Sequence, residues 1–175
     1  MYRFVRGFVV AVAIALLASS VLAQPPMPRP GPEHDRLKGM VGEWDCVMDM
    51  GGKESKCRSV CTQDLGGFWF TEKFNGDFEG MKFEGRGTFG YCPIKKKYVG
   101  TWIDSMGPSM MVMEGDCLDD QTMVMTGEGP DESGKMVKHK TVTVRKNADN
   151  AIMTMYKIDG GKETKEFSIA YTRKK

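Results

Sequence analysis

Histidine is scarce in this chain, and the sequence patterns of common enzyme active sites are missing. Only His34 and His139 occur among 175 residues, which leaves little room for a catalytic triad or a zinc site. The chain has no G-x-S-x-G, H-E-x-x-H or C-x-x-C motif and no phosphate-binding loop. We therefore predict no catalytic residue and no cofactor. His139, on an alternating strand, is interpreted as a hydrogen-bonded structural residue.

An excess of charge of one sign is also lacking. The chain has 25 basic and 23 acidic residues, and two of the basic ones, Arg3 and Arg6, precede the apolar run Phe8–Ala18. Basic residues before such a run, followed by small residues at Val21–Ala23, are typical of a secretory signal peptide. We expect residues 1–23 to be removed on export to the periplasm or the extracellular space. The remaining charges then balance, which argues against nucleic acid or an anionic membrane as a partner.

Long helical patterns and further membrane-length apolar runs are absent from the rest of the chain. Prolines at 24–32 predict a flexible arm, and 33–175 then form one domain that begins with a short helix over 33–40. Period-two alternation, broken by Gly, Asp and Asn clusters, predicts ten antiparallel strands. With no helix to cover sheet edges, these strands predict an all-β fold, a single antiparallel meander β-barrel. The strands are placed near 43–50, 55–63, 67–75, 82–91, 97–105, 109–114, 121–127, 136–146, 151–158 and 163–173.

Aromatic side chains concentrate in the stretch RGTFGYCPIKKKYVGTWIDS. A loop at 93–96 makes each large ring face a glycine across the hairpin, an arrangement that covers the bare backbone. The inner face then carries the rings together with Asp104, whose burial is costly without partners. We predict that this face and the following strand line a ligand pocket with Phe89, Tyr91, Trp102, Asp104, Met111 and Met113. In the last hairpin, a Gly160-Gly161 turn predicts an inner face that includes Ile152, Thr154 and Tyr156 beside Phe167.

Five cysteines in an exported chain predict disulfides. A Gly51-Gly52 turn places Cys46 directly opposite Cys57, at a separation that a disulfide can span. Cys92 and Cys117 lie at strand ends and are the second candidate pair, which leaves Cys61 as the odd thiol.

Methionine is abundant, with 15 residues that include four Met-x-Met pairs. In a strand, each pair places both thioethers on one face, and thioethers and thiolates suit Cu(I). A copper site would use Met111, Met113, Met123, Met125 and Cys61. A six-residue loop between the two strands puts the two pairs on opposite faces, whereas a five-residue loop brings Met111 opposite Met123. The alternative interpretation is that methionine fills an irregular core.

Two sets of residues resemble known families. Gly42-Glu43-Trp44 after a short helix is similar to the G-x-W start of lipocalins, a resemblance that implies that Arg173 from the last strand packs across Trp44.

More of the chain resembles the bacterial family called domain of unknown function 1579. The resemblance rests on LGGF at 65–68, GTFGYCPIKKKYVGTWIDSM at 87–106, TGEGP at 126–130, GKE at 161–163 and YTR at 171–173. It implies export and a lipocalin-like barrel, with no established activity. Nitrobindin-like barrels open similarly and hold haem through a histidine, which the last strand here lacks.

Three functions are therefore open. The first is an exported barrel that binds a small, largely apolar molecule, with Asp104 orienting its polar end. The second is a copper-binding or copper-buffering protein. The third is an enzyme on the same barrel, with Asp104 as acid or base. The oligomeric state is not predicted.

Overall fold

Ten antiparallel strands form a closed barrel, as predicted. The computed structural model describes residues 27–131 and 133–175, so the predicted signal peptide at 1–23 lies outside the described residues. The elements are α1 (Pro32–Lys38), β1 (Gly42–Met50), β2 (Lys53–Asp64), β3 (Trp69–Phe78), β4 (Met81–Cys92), β5 (Lys97–Asp104), β6 (Met111–Cys117), β7 (Thr122–Pro130), β8 (Met136–Arg145), β9 (Asn150–Asp159) and β10 (Lys162–Arg173). Each strand pairs with its neighbours in the chain, and β1 pairs with β10 to close the barrel. In the described ranges, no helix is both long and apolar enough to cross a membrane.

The β4–β5 hairpin has the predicted register. Phe89 lies opposite Gly100, and Trp102 lies opposite Gly87. The rings occupy the space that the glycines leave: a Cβ atom on Gly100 would stand 2.5 Å from Phe89 Cδ1, and one on Gly87 would stand 3.2 Å from Trp102 Cε3. The alternation of rings and glycines therefore determines which residues of this hairpin point into the barrel.

The β9–β10 hairpin differs from the prediction because β10 contains a β-bulge. Tyr156 pairs with Lys165 as the Gly160-Gly161 turn requires, but the next pair is Met155 with Phe167, and Glu166 is the extra residue. One extra residue reverses the faces of the strand beyond it. Met153 and Met155 therefore point inward, where the prediction had Ile152, Thr154 and Tyr156.

The register of β6 and β7 matches neither of the two predicted loops. Met113 lies opposite Gly127 and Cys117 lies opposite Met123, so the connection begins at Leu118, three residues later than in either predicted loop. Both Met-x-Met pairs consequently point inward, but Met111 and Met123 are staggered along the barrel instead of facing each other. Glycines make this close pairing feasible, since a Cβ atom on Gly127 would stand 2.7 Å from Met113 Cγ.

Helix α1 covers the end of the barrel where β1 begins. Leu37 is buried among the inner side chains of the strands, and Tyr98 Oη donates a hydrogen bond to the Glu33 carbonyl oxygen at 3.1 Å. Arg36 donates to the Asp119 carbonyl oxygen and to Asp120 Oδ1 in the β6–β7 loop, each at 2.9 Å. We call this the helix end; the opposite end carries the β1–β2 and β3–β4 turns and the β5–β6 loop.

Trp44 and Arg173 lie together at the helix end. The guanidinium carbon of Arg173 stands 4.1 Å from the centre of the Trp44 ring, a distance at which cation–π attraction is effective. Arg173 also donates to the carbonyl oxygens of Val41 and Gly39, at 2.6 and 2.8 Å, and Trp44 Nε1 donates to the Met40 carbonyl oxygen at 2.8 Å. These contacts join β1, β10 and the segment that follows α1.

The structure does not support the predicted disulfides, because all five cysteines are free thiols. Cys46 does lie opposite Cys57, but each thiol lies against a carbonyl oxygen of its own strand, Cys46 at 3.7 Å from Trp44 O and Cys57 at 3.6 Å from Ser55 O. Cys92 and Cys117 lie on β4 and β6 with β5 between them. Two strand spacings separate them by roughly 9.6 Å, which is too far for a disulfide.

Candidate ligand cavity

The inward faces of the strands leave a cavity of about 710 Å³ inside the barrel. Small-molecule sites typically have volumes of roughly 300–1,000 Å³. Aromatic and thioether side chains make up about half of its lining residues. Eleven of the fifteen methionines line it: Met40, Met48, Met50, Met81, Met106, Met111, Met113, Met123, Met125, Met153 and Met155. Flexible thioethers allow a binding surface to adapt to the shape of an apolar molecule.

The cavity reaches the surface at the end opposite α1. Three of its lining residues there, Met50, Met81 and Met106, are 47 %, 49 % and 57 % exposed. They lie at three different connections: Met50 ends β1 before the β1–β2 turn, Met81 begins β4 after the β3–β4 turn, and Met106 belongs to the β5–β6 loop. A ligand can therefore enter between these connections without unfolding the helix end.

Five of the six predicted ligand residues line the cavity, namely Phe89, Trp102, Asp104, Met111 and Met113. Tyr91 lies outside the lining. Its ring makes edge contacts with His34 at 6.1 Å and with Tyr98 at 5.3 Å between ring centres. Tyr91 thus packs between α1 and β5, where it supports the helix end.

Asp104 is held by donors from its own segment. Its Oδ2 accepts a hydrogen bond from Trp102 Nε1 at 2.9 Å, and its Oδ1 accepts one from the Met106 backbone N–H at 2.9 Å. Arg173 lies on Trp44 at the helix end, whereas Asp104 ends β5 at the opposite end of the barrel. The observed contacts orient the Trp102 ring and the β5–β6 loop, and a role of Asp104 toward a ligand stays a prediction.

A second carboxyl group, Glu72 on β3, lies deep in the wall of the cavity. It lines the cavity between Phe70 and Phe74, its inward neighbours on the strand. Glu72 Oε1 accepts a hydrogen bond from Ser59 Oγ at 2.6 Å. Desolvation raises the pKa of Glu72 above its usual range, and the hydrogen bonds from Ser59 and Tyr171 oppose this shift without cancelling it.

Thiols and a phenol surround Glu72. Burial raises the pKa of Cys61 to about 12 and also raises the pKa values of Cys46 and Tyr171, and the nearby Glu72 carboxylate adds to each shift. These groups are therefore neutral near pH 7. Around Glu72, the wall formed by β1, β2 and β10 therefore presents neutral polar groups.

Replacement of Glu72 should change how stability depends on pH. The folded state holds the Glu72 proton more tightly than the unfolded state, whose pKa is close to 4.5. The proton stabilises the fold fully below pH 4.5, and this contribution is lost as pH rises through the folded-state pKa. We expect the stability of Glu72→Gln relative to wild type to increase with pH over this window, as measured by urea unfolding at several pH values. If the difference in unfolding free energy between Glu72→Gln and wild type did not vary with pH, the raised pKa of Glu72 would be contradicted.

His139 and Glu166 form a pair on another part of the cavity wall. His139 Nδ1 lies 3.0 Å from Glu166 Oε2, and both residues line the cavity. His139 is 5 % exposed, and its Nε2 has no hydrogen-bond partner among residues 27–131 and 133–175. A Cβ atom on Gly129 would stand 2.8 Å from the Met111 methyl carbon and 3.7 Å from His139 Nε2, so both groups lie next to Gly129.

The residues of the predicted copper site are only partly brought together. Met111, Met113, Met123 and Met125 share the inner face of β6 and β7. Cys61 lies on β2, five strands from β7 in the closed barrel, where its thiol contacts Ser59 Oγ at 3.6 Å. Among residues 27–131 and 133–175, no three His, Cys, Asp or Glu side chains are arranged to hold a metal ion.

The two interior carboxylates differ in how far the sequence could have revealed them. Phe70, Glu72 and Phe74 alternate with period two, so the position of Glu72 between two inward aromatic residues was available as a signal. Glu166 is different, because it is the extra residue of the β10 bulge. A regular strand would not have placed it beside His139.

The fold and the cavity define a class of protein, a closed ten-stranded lipocalin-like barrel with an apolar, methionine-rich interior. Residues 29–173 match the model of the family DUF1579, described as a protein of unknown function, and the chain belongs to that family. No curated protein matches the sequence. Among solved structures, the S-type phycobiliprotein lyase CPES from Guillardia theta is similar with a TM-score of 0.55 and 15% identity, over 83% of this chain and 99% of the lyase chain.

Proposed function

We propose that this protein binds a small, largely apolar molecule inside the barrel. The observation that carries the proposal is the unfilled interior of about 710 Å³ with aromatic and thioether walls. A barrel whose purpose was only structural would gain stability by filling this space, since voids cost both transfer and packing free energy. The similar barrel of a phycobiliprotein lyase also supports the proposal that the interior binds a small molecule. The basic and apolar pattern of residues 1–23 supports a site of action outside the cytoplasm.

Copper is a second candidate because of two observations. All four Met-x-Met pairs contribute to the cavity lining; within the described residues His139 Nε2 has no hydrogen-bond partner, and it lies, like the Met111 methyl group, next to Gly129. Thioethers and imidazole are suitable ligands for Cu(I), and the contact with Glu166 resembles the outer-shell carboxylates that orient metal-binding histidines.

Asp104 remains the candidate acid or base for an enzyme on this barrel, although both of its oxygens already accept hydrogen bonds.

Native mass spectrometry of the protein purified from its own cells tests the proposal. We expect an added mass that is lost on denaturation, and its size separates an organic molecule from copper. Thr141→Trp should abolish retention, because Thr141 lines the cavity and the added ring occupies part of its volume. Val142→Trp, on the opposite face of the same strand, is the matched control and should retain the ligand. Equal retention by both variants would place the ligand outside the cavity.

A further inference from the structure

We infer that the ligand carries a cationic amine, and that this amine pairs with the Glu72 carboxylate inside the barrel. The inference rests on the proposed ligand-binding function and names the chemical class of the ligand. Glu72 lines the cavity on β3, and the part of its surface that is not covered by protein faces the cavity. A group bound in the cavity therefore has direct access to this carboxyl group.

Glu72 lacks a positively charged partner of its own. In the part of the chain that the structure describes, Glu72 forms no ion pair, and the groups that act on it are the Ser59 and Tyr171 hydroxyls. A carboxyl group in an apolar site without a cation is costly. Glutamine would accept the same hydrogen bond from Ser59 without that cost. A carboxyl group at this position is therefore better explained by a charge that arrives with the ligand.

The charges around the rest of the cavity also favour a cation. Six carboxyl groups line it, from Glu72, Asp104, Asp119, Asp120, Asp131 and Glu166, against two guanidinium groups. Those two, Arg36 and Arg145, lie at the helix end and donate to the Asp120 segment. The lining is thus negative overall, which attracts a cationic ligand and opposes an anionic one.

The walls beside Glu72 suit an organic cation. The rings of Phe70 and Phe74 flank Glu72 on the same face of β3, and Phe74 makes an edge contact with Trp102 at 6.4 Å between ring centres. Aromatic faces attract organic ammonium groups, and thioethers accommodate the apolar part of such a ligand. A lipophilic amine would satisfy both the carboxyl group and the walls.

A matched pair of probes tests the inference. Phenylbutylamine and phenylbutanol share one apolar body and differ in the ammonium and hydroxyl groups, and titration calorimetry measures their affinities. We expect wild type to bind the amine about tenfold more tightly than the alcohol, as charge-assisted hydrogen bonds are stronger than neutral ones. Glu72→Gln should lose this preference and keep its affinity for the alcohol. Glu84→Gln, on the exposed outer face of β4, is the control and should behave as wild type.

The protonation of Glu72 provides a second test on wild type, because it makes amine binding depend on pH. The titratable groups that lie around Glu72 are Cys46, Cys61 and Tyr171, and burial raises the pKa of each. Because Glu72 must lose its proton to pair with an ammonium group, amine binding should release a proton and strengthen as pH rises above 4.5 through the raised pKa of Glu72. Alcohol binding should do neither.

The outcomes separate this inference from the proposed function. Equal affinities for the two probes on wild type would overturn the amine inference and leave the binding cavity in place. A preference for the amine that persists in Glu72→Gln would also overturn the inference, because a group other than Glu72 would then recognise the ammonium group. If neither probe binds wild type and Thr141→Trp retains the native mass excess, the cavity itself is not the site.

Discussion

Trp44→Ala should destabilise the fold by about 4 kcal/mol, the typical cost of truncating a fully buried Trp. Trp44 is 0 % exposed and packs against Tyr171 at 6.3 Å between ring centres. Its removal also takes away the surface on which the Arg173 guanidinium lies. Both ends of the chain that close the barrel, β1 and β10, meet at this ring. Urea unfolding monitored by circular dichroism measures the loss.

Two control variants show whether the loss has this cause. Val47→Ala changes an outward residue of β1 that is 38 % exposed, and we expect it to cost less than about 1 kcal/mol. Arg173→Met keeps an unbranched apolar side chain and removes the charge and the donors, so its cost should be intermediate. If Trp44→Ala cost no more than Val47→Ala, the Trp44 and Arg173 contact would not be needed for closing the barrel.

The parts of the fold that could be predicted are those with strong local signals. A Gly-Gly turn determines the β1–β2 register, which places Cys46 opposite Cys57. Rings that alternate with glycines determine the β4–β5 register. In both hairpins, the turn residues and the inward side chains independently indicate the same pairing, so the inner face of each strand follows from the sequence.

Other pairings depend on features without a local signal. The Glu166 bulge lies within a strand whose polar residues are compatible with either face, and it reverses which β9 residues point inward. The β6–β7 connection contains several residues that suit a turn of more than one length, so alternative registers were equally consistent with the sequence. Close backbone contacts at Gly115 and Gly127, visible only in the folded barrel, select the observed register.

The presence or absence of a local sequence signal also explains which residues of the candidate site could be predicted. Phe89 and Trp102 were found because their hairpin was correctly paired, whereas the His139–Glu166 pair requires the bulge. Tyr91 was assigned to the cavity because it shares the inner face of β4 with Phe89, but α1 covers that end and takes up the ring. Strand alternation predicts which face a residue occupies, and it does not predict where along the barrel the cavity ends.

Gly115→Ala should cost roughly 3 kcal/mol, at the upper end of typical overpacking effects. A Cβ atom at Gly115 would overlap the Val124 carbonyl oxygen and stand 2.6 Å from Met125 Cα and 2.8 Å from the Val124 carbonyl carbon. These are backbone atoms of β7, so no side-chain rotation can relieve the overlap. Urea unfolding of the purified variant measures the cost.

The matched control is Gly107→Ala, since a Cβ atom there would meet nothing within 4 Å. Both variants add one methyl group and reduce the freedom of the unfolded chain equally, so their difference reports the contact with β7. We expect Gly107→Ala to be neutral or slightly stabilising. If Gly115→Ala were equally harmless, β6 and β7 could pair in another register. The inward positions of Met111 and Met125, and with them the methionine wall of the cavity, would then lose their structural basis, because a shift of one residue turns every side chain of a strand to the other face.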